Sequence, residues 1–545
     1  MGLLETRVVI AQINPTVGDL KGNAEKIHKY IEKAIKLKAN IVIFPELTIT
    51  GYPPQDLVLE KKFIESNRQI LENLTPICKD IYAVIGFIDY DGQHRYNAAA
   101  TLGDKKIIGV THKTLLPTYD VFDEDRYFTP ANSIEPIMLD INGRNIKVGI
   151  EICEDLWDDN YKKKVTRELV EKGAEIIINL SASPFYVGKR TERENLLKTH
   201  SRRNHVPVFY VNMVGGQDEL VFDGFSMAFD SEGKLLAFGK HFEEDFVSVD
   251  IDMENQGVGT EVAPPKYIKK EETFKALVLG TRDYCKKTGF RKAVIGLSGG
   301  IDSSLTASIA TEALGKDNIL GVSMPSQYSS EHSKEDAELL AKNLGIRYTV
   351  VPIEGIFEAF KGVLAKQFKD NAEGVTEENL QARIRGTILM ALSNKFGHIV
   401  FTTGNKTELA LGYCTLYGDM AGGLGIISDL SKVQVYELAE YYNSLKDQLI
   451  IPKRVLDKKP SAELKKDQYD PFDYSVVSPL VDEIVENGKN RDELIELGYA
   501  QTLVEEILTR IRSAEYKRKQ TPPGIKITSK AFGIGRKMPI VNKYF

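Results

Sequence analysis

The chain has 545 residues, which is too long for one ordinary domain and predicts more than one. Hydrophobic residues make up 42% of the sequence and charged residues 27%, so collagen, coiled-coil and wholly disordered proteins are excluded. With 71 Lys and Arg against 77 Asp and Glu, the net charge is −6, and no general electrostatic attraction to nucleic acid or to a membrane surface is expected.

Cysteine usage and hydropathy predict the compartment. Cys78, Cys153, Cys285 and Cys414 are widely spaced and form no CxxC pair, which argues against a disulfide framework or a cysteine-rich zinc site. No apolar run approaches the ~20 residues of a membrane helix, and the N-terminus lacks a signal-peptide pattern. We therefore expect a cytoplasmic protein that binds neither membrane nor nucleic acid.

The first half alternates strand-like and helix-like segments. Runs rich in Val and Ile, bounded by turn residues, predict strands at 8–13, 41–44, 81–88, 96–102, 146–153, 175–180 and 207–213. Residues 23–38 predict a helix that covers a sheet, because their apolar residues recur at helical spacing. Runs at 224–230 and 235–238 follow each other at hairpin spacing, which indicates partly antiparallel sheets.

Three residues lie at the ends of strand-like runs in this half: Glu46, Lys113 and Cys153. A free thiol has a pKa of about 8.5 and needs a base to become a nucleophile, and Glu46 could take its proton. Lys113 could orient that carboxylate and stabilise a developing oxyanion. Taken singly, each residue has an ordinary structural interpretation as a core thiol, a turn cap or a surface charge.

Together and in this order, these residues resemble the nitrilase/amidase superfamily. The resemblance implies an α-β-β-α sandwich in which Glu46 is the base, Lys113 the electrophilic support and Cys153 the nucleophile. It also implies an additional active-site carboxylate at Glu124, within the sequence Phe-Asp-Glu-Asp-Arg-Tyr-Phe. By the same comparison, the glutamine-binding positions are Tyr119, Ser183 and Lys189.

A break follows the first half. Gly257, Gly259, Pro264 and Pro265 interrupt the periodic pattern across residues 255–270. We therefore predict a domain at 1–262, a linker at 263–272 and a second domain at 273–545.

The second half repeats a strand–turn–helix cycle. After a helical stretch at 272–288, strands are predicted at 293–297, 319–324, 347–351 and 398–403. This alternation indicates a Rossmann-like, mostly parallel sheet with helices on both faces.

A glycine turn follows the first of these strands, in the sequence Ser298-Gly-Gly-Ile-Asp302-Ser303. Adjacent glycines bring several backbone N–H groups to one point, and the helix N-terminus that follows favours a polyphosphate. Asp302 could hold Mg²⁺. The loop is not a Walker A motif, because no Gly-Lys-Ser/Thr follows.

This loop resembles that of the PP-loop ATP pyrophosphatases. Five later segments follow it in the order Asn379-Leu-Gln-Ala-Arg383-Ile-Arg385, Thr402-Thr-Gly-Asn-Lys-Thr-Glu408, Tyr417-Gly-Asp419, Ser428-Asp-Leu-Ser-Lys432 and Lys459-Pro-Ser-Ala-Glu-Leu464. This series resembles the NAD⁺ synthetases among those enzymes. The resemblance implies Mg²⁺ at Asp302 and Glu408. It implies ATP contacts at Gly296, Leu297, Ser298, Gly299, Gly300, Ile301, Asp302, Ser303, Thr403, Lys432 and Ser461. It implies deamido-NAD⁺ contacts at Asn379, Arg383, Glu408, Asp419 and Lys517.

Lys517 opens a basic C-terminal segment, 516–545, that carries eight Lys and Arg and no Asp or Glu. A solvated tail is one interpretation of this charge, and an arm that closes over phosphates is the other.

The two resemblances cover essentially the whole chain and imply one activity, the ATP-dependent amidation of deamido-NAD⁺ with ammonia from L-glutamine. The family also implies a homo-oligomer, possibly an octamer. Two alternatives stay open: a PP-loop amidotransferase that acts on a different acceptor, and a non-catalytic nucleotide sensor or scaffold.

Overall fold

The computed structural model describes residues 5–253, 261–368, 372, 374–466 and 468–544, and the chain divides into two units between Tyr267 and Ile268. The division lies inside the predicted linker. The first helix of the second unit begins at Lys269, three residues before its predicted start. Residues 255–260 of the predicted break lie outside the described residues.

The first unit contains fourteen strands within the described residues. They are β1 (Glu5–Gln12), β2 (Ile41–Ile43), β3 (Tyr82–Tyr90), β4 (Arg95–Gly103), β5 (Lys106–His112), β6 (Ile137–Ile141), β7 (Arg144–Ile152), β8 (Ile176–Ser181), β9 (Val208–Asn212), β10 (Val214–Gln217), β11 (Leu220–Asp223), β12 (Met227–Phe229), β13 (Leu235–Phe238) and β14 (Asp245–Asp252). Its α-helices are α1 (Leu20–Lys36), α2 (Lys61–Leu74), α3 (Val165–Glu171) and α4 (Lys189–Asn204).

These strands form two six-stranded mixed sheets and a two-stranded ribbon. The first sheet has the order β14-β1-β2-β3-β4-β5 and the second the order β13-β12-β9-β8-β7-β6, while β10 pairs with β11. Apolar side chains from β1 and β7, such as Val8, Ile10 and Ile150, share one buried core between the sheets. Helices α1 and α2 cover the outer face of the first sheet, and α3 and α4 cover that of the second. The predicted α-β-β-α sandwich is confirmed.

The sequence missed five strands of this unit: β5, β6, β10, β11 and β14. Three of them, β5, β6 and β14, lie at sheet edges, where part of each strand faces solvent and the apolar pattern is weaker. Helix α1 buries Ile27, Tyr30, Ile31 and Ala34 as predicted, whereas Ile35 in its last turn is 39% exposed.

The second unit is built on a five-stranded parallel sheet. Its strands are β15 (Ala293–Gly296), β16 (Ile319–Ser323), β17 (Arg347–Val350), β18 (Ile399–Thr402) and β19 (Leu424–Gly425), in the order β17-β16-β15-β18-β19. Its helices are α5 (Lys269–Thr288), α6 (Ile301–Leu314), α7 (Glu331–Leu344), α8 (Glu354–Phe368), α9 (Val375–Phe396), α10 (Lys406–Leu411), α11 (Lys432–Ser444), α12 (Lys453–Asp457), α13 (Tyr474–Val485), α14 (Arg491–Glu496), α15 (Gln501–Ser513) and α16 (Glu515–Arg518).

The strand order places a topological switch point at the end of β15. The chain passes from β15 to β16 on one side, whereas β18 lies on the other side. In open parallel sheets the crevice beyond such a point is the usual ligand site, and the glycine turn that follows β15 lies there. The predicted parallel α/β architecture is confirmed.

Among the described residues, no helix combines the length and the apolar character that a membrane span requires.

Candidate functional sites

Lys113 lies at the centre of a buried charge cluster in the first unit. Its Nζ donates to Glu46 Oε1 at 2.7 Å and to both carboxylate oxygens of Glu124 at 2.9 Å. All three side chains are at most 6% exposed. Glu46 follows β2 and Lys113 follows β5, so the first sheet supplies both at the ends of its strands.

The electrostatics of this cluster depend on its burial. Burial by itself would lower the pKa of Lys113, but the charges of Glu124 and Glu46 raise it well above its usual value, so the ammonium group stays charged. Burial raises the pKa of Glu124 to about 6, although Lys113 opposes the shift. Two carboxylates and one ammonium group therefore share a site without water screening.

Three groups that the sequence did not single out hold these carboxylates. Asn97 Nδ2 donates to Glu46 Oε1 at 2.7 Å, and the Ala182 backbone N–H donates to Glu46 Oε2 at 2.9 Å. Tyr52 OH donates to Glu124 Oε1 at 2.9 Å. Asn97 offered a signal, since it is a polar residue directly before three consecutive alanines of β4. The backbone N–H of Ala182 offered none.

The sequence predicted Cys153 as the last residue of its strand, but β7 ends at Ile152, and Cys153 begins the turn that follows. Its backbone φ is +46°, a left-handed conformation that is strained for any residue but glycine and that is common at functional sites. Burial raises the pKa of the thiol well above its ordinary value, the Glu46 charge adds to the shift, and Lys113 opposes it. The thiol is therefore protonated at rest and requires a base.

Asp155 ties the Cys153 turn to the Lys113 loop. Its Oδ2 accepts from the Ile152 N–H at 3.0 Å, and its Oδ1 accepts from the Thr114 and Leu115 N–H groups at 2.9 and 2.8 Å. Both segments are thus held by one buried carboxylate.

Of the three predicted glutamine-binding residues, Tyr119 contacts a further carboxylate, Glu154. Tyr119 OH donates to Glu154 Oε2 at 3.0 Å, and Tyr161 OH donates to Oε1 at 3.0 Å. The Lys189 ammonium lies 3.6 Å from the centroid of the Trp157 ring, and burial lowers its pKa to about 8.

Ser183 is buried, and its backbone N–H donates to Asn212 Oδ1 at 2.9 Å. Glu154 and Tyr161 were not predicted as site residues.

In the second unit the glycine turn forms a hydrogen-bonded loop. Ser298 Oγ lies 3.1 Å from Ser303 Oγ and accepts from the Gly300 N–H at 3.2 Å. Gly299 has φ +76°, and a Cβ atom there would lie 2.2 Å from the Ser333 carbonyl oxygen. Only glycine fits this position.

Lys432 joins two carboxylates beside this loop. Its Nζ lies 2.5 Å from Asp302 Oδ2 and 3.2 Å from Glu408 Oε1. Asn405 Nδ2 donates to Asp302 Oδ1 at 2.8 Å, and Asn405 also caps α10 by accepting from the Glu408 N–H. Burial raises the pKa of Glu408 to about 8, with Lys432 opposing the shift and Asp302 adding to it.

A cavity of about 490 Å³ opens over the loop and these carboxylates. The predicted residues that line it are Gly296, Leu297, Ser298, Gly300, Ile301, Asp302, Ser303, Asn379, Thr403, Glu408, Asp419, Lys432, Ser461 and Lys517. Gly299 is not among the lining residues because it packs on Ser333. Arg383 is not among them either; it is exposed, and its Nε donates to Leu416 O at 3.2 Å.

Three of the five predicted dinucleotide residues, Asn379, Asp419 and Lys517, contact the segment 412–415 at one part of this cavity. Thr415 Oγ1 donates to Asn379 Oδ1 at 2.7 Å, and the Thr415 N–H donates to Asp419 Oδ1 at 2.6 Å. Lys517 Nζ donates to Gly412 O and Cys414 O at 2.8 Å each.

Of the eight basic residues counted in the tail, Lys517 lines the cavity, and the remaining seven are not among its lining residues in the described part of the chain. Within the basic C-terminal segment, Lys517 is therefore the residue that could still contact phosphates in this cavity. The cavity also contains lining residues that were not predicted as contacts: Arg385, Tyr413, Lys458, Lys459 and Asp470.

Two protein families match the two units of the chain. The carbon-nitrogen hydrolase family model matches residues 7–257, and the NAD synthase family model matches residues 273–521. The glutamine-dependent NAD(+) synthetases of Thermotoga maritima and of Synechocystis are each 44% identical to the chain. The alignments cover 98–99% of this chain and 99% of each relative.

Two solved structures match along the whole chain. The glutamine-dependent NAD+ synthetase of Acinetobacter baumannii, in complex with ADP, is 36% identical, with a TM-score of 0.79 and 99% of both chains covered. The glutamine-dependent NAD(+) synthetase of Cytophaga hutchinsonii has a TM-score of 0.84 over 99% of this chain and 98% of its own, and at 22% identity it supports the fold.

Proposed function

Because the chain belongs to the glutamine-dependent NAD(+) synthetase family, we propose that it amidates deamido-NAD⁺ with ATP and with nitrogen from L-glutamine. The products are NAD⁺, AMP, pyrophosphate and glutamate, so the reaction is the last step of NAD⁺ biosynthesis. The observation that carries the proposal is a single chain with a buried Cys153–Glu46–Lys113 site in one unit and a glycine-turn loop that lines a large cavity in the other.

The first half-reaction releases ammonia in the first unit. Glu46 takes the proton of the Cys153 thiol, and the thiolate attacks the side-chain amide carbon of glutamine. Lys113 stabilises the oxyanion, the C–N bond breaks, and the leaving nitrogen takes the proton back from Glu46. Glu46 then takes a proton from water, the resulting hydroxide attacks the thioester carbon, and the C–S bond breaks to release glutamate. The Cys153 sulfur takes the proton back from Glu46.

The charged groups near Cys153 match the two charges of glutamine, which lie on its α-carbon at the end opposite the reactive amide. The Lys189 ammonium and the Ser183 hydroxyl suit the α-carboxylate. Glu154, held by Tyr119 and Tyr161, is an acceptor for the α-ammonium group.

The second half-reaction takes place in the cavity of the second unit. The proposed ATP contacts are those implied by the loop, together with Thr403, Lys432 and Ser461, and the relative from Acinetobacter baumannii binds ADP. The nicotinate carboxylate attacks the α-phosphorus of ATP and expels pyrophosphate. Ammonia then attacks the adenylated carbonyl and displaces AMP.

Asp302 and Glu408 fit a magnesium ion. Both carboxylates contact one Lys432 ammonium, so two hard oxygen donors converge on one point. The described residues contain no group of three or more metal-ligating side chains, so phosphate oxygens of ATP would complete the coordination. When bound, Mg²⁺ would neutralise charge on the transferring phosphates.

For deamido-NAD⁺ we propose Asn379, Glu408, Asp419 and Lys517, all of which line the cavity. Arg383 lies outside the cavity lining, and its contact with the dinucleotide stays a prediction.

We also propose a homo-oligomer whose interface includes α8. Ile356, Phe360 and Val363 are 41%, 46% and 77% exposed, and their spacing of four and three residues places them on one face of the helix. An apolar face of this kind favours a second copy of the chain over solvent. All four cysteines are free thiols, which supports a reducing, cytoplasmic location.

The central experiment measures NAD⁺, AMP, pyrophosphate and glutamate with either glutamine or ammonium chloride as the nitrogen source. Cys153→Ala should reduce glutamine-driven synthesis by at least ~10³-fold and leave ammonium-driven synthesis within about twofold of wild type. Cys78→Ala, at a buried core cysteine of the same unit, should retain both activities.

Loss of both activities in a folded Cys153→Ala protein would contradict this division of labour. Turnover of ATP to AMP only with another acceptor would favour the alternative amidotransferase. No turnover with any acceptor would favour the sensor.

A further inference from the structure

Helix α9 presents one face to the cavity of the second unit. Asn379, Ala382, Arg385 and Leu389 line the cavity at intervals of three and four residues, which is one stripe of an α-helix. Arg383 lies two residues before Arg385 and hence about 200° away around the helix axis. The helical period therefore brings Arg385 to the cavity and points Arg383 away from it.

The Arg385 side chain forms a hydrogen bond through one of its three nitrogens. Its Nε donates to the Met324 carbonyl oxygen at 3.0 Å, immediately beyond β16. The structure gives its guanidinium no other hydrogen bond and no salt bridge within the described part of the chain. Glu463 is the acidic group that acts on it electrostatically, and that carboxylate already accepts from Lys458, Ser330 and Ser333.

Arg385 is partly buried and lines the cavity, and a guanidinium that is partly removed from water without an ion-pair partner is favourable only if an anion joins it. Burial lowers the pKa of Arg385 to about 10, so the group stays charged at neutral pH. Its two terminal nitrogens form a planar fork that matches phosphate oxygens. The cavity therefore contains a cationic group prepared for a phosphate.

The position of Arg385 within the cavity favours the nucleotide. A Cβ atom on Gly296 would lie 3.3 Å from the Met324 side chain and 3.4 Å from that of Leu389. Met324 is the residue that Arg385 contacts, and Leu389 is one turn further along α9. Gly296 is the residue from which the phosphate loop begins. The dinucleotide residues Asn379 and Asp419 instead meet at Thr415.

We propose that Arg385 binds a phosphate group of ATP during the adenylation step. The inference rests on the proposed function of the cavity. It assigns a binding residue to the same α9 segment in which Arg383 was predicted.

The test measures binding and kinetics on the full-length protein. Calorimetry with ADP as the probe should show a dissociation constant about 10- to 100-fold larger for Arg385→Gln, the loss expected for charge-assisted hydrogen bonds. Arg385→Lys should recover part of the affinity, since it keeps the charge but loses the fork. Arg491→Gln, at an exposed surface pair with Glu505, is the matched control and should bind ADP like wild type.

The KM for deamido-NAD⁺, measured with ammonium chloride, separates the two possible sources of the phosphate. A raised KM for deamido-NAD⁺ with unchanged ADP binding would overturn the assignment to ATP. Unchanged values for both ligands would overturn the whole inference.

If Arg385→Gln fails to fold, Arg385→Lys decides the question, and an ADP affinity equal to wild type would then overturn the inference. A wild-type protein that does not bind ADP would instead contradict the proposed function, and the inference with it.

Discussion

Lys113 determines the chemistry of the first site because it shares its charge between two buried carboxylates. Glu46 is held in place by Lys113, Asn97 and the Ala182 N–H, so the base is aligned before substrate arrives. The thiol of Cys153 stays protonated at rest, since burial and the Glu46 charge raise its pKa. We therefore expect a resting cysteine of low reactivity that is activated when an amide occupies the site.

At Lys189 the lowered pKa predicts a pH effect on glutamine binding. Below a pH of about 8 its ammonium is charged and attracts the substrate carboxylate; above that pH the charge is lost. The KM for glutamine, measured from glutamate release, should rise by about tenfold per pH unit above 8. Lys189→Arg should remove this rise because guanidinium keeps its proton.

The same exchange at Lys198, further along α4, serves as the control and should leave the alkaline rise unchanged. An alkaline rise that persists in Lys189→Arg would show that another group causes it.

A substitution at Asp302 should block the adenylation step and leave the glutaminase step intact. Asp302→Asn keeps the size of the side chain and removes a charge that would hold Mg²⁺ and that pairs with Lys432. Pyrophosphate release should fall by about 10²- to 10³-fold, while formation of the glutamyl thioester on Cys153 should persist. Rapid-quench assays of both steps measure this, with the exposed Asp317→Asn as control. Equal loss of both steps in a folded protein would contradict the assignment.

At the scale of the element, the glycine turn after β15 depends on the close approach of α7. Gly299→Ala would combine a left-handed backbone at φ +76° with a Cβ atom 2.2 Å from the Ser333 carbonyl oxygen. We expect the free energy of unfolding of the second unit to fall by about 2–4 kcal/mol. Nucleotide binding should be lost with it, because the phosphate loop would be displaced.

Gly289→Ala is the matched control, since Gly289 has φ +85° and open space around the missing Cβ. It should cost about 1 kcal/mol and leave nucleotide binding unchanged. Thermal unfolding with and without ADP measures both variants. Identical behaviour of the two would show that the contact with Ser333 is unimportant.

For the whole molecule, the exposed apolar face of α8 predicts self-association. Val363→Glu places a charge on a residue that is 77% exposed, so the folded subunit should tolerate it. Light scattering after size exclusion should show a smaller assembly than wild type, because a charge would be buried in the interface. Leu497→Glu, at a residue 57% exposed outside α8, should keep the wild-type mass. An unchanged mass for Val363→Glu would remove α8 from the interface.

Local patterns in the sequence predicted most of the architecture. Runs of Val and Ile predict buried strands, and a 3.6-residue period of apolar residues predicts α1. Both patterns are local, because burial of one element selects apolar residues at regular spacing along that element. The edge strands β5, β6 and β14 were not predicted, because they bury less of their surface and their apolar pattern is weaker. The phosphate loop was predictable for the same local reason, as the strand, the glycine turn and the helix start are contiguous.

The sequence by itself thus determined the two-part α/β organisation, the phosphate loop and, through family resemblance, the activity. Only the tertiary structure decided which side chains meet. Asn97, Tyr52 and the Ala182 N–H reach the carboxylates through sheet packing, which leaves no trace in sequence spacing. On α9 the rotation of the helix against the sheet, and not the motif, selects Arg385 over Arg383 as the residue that lines the cavity.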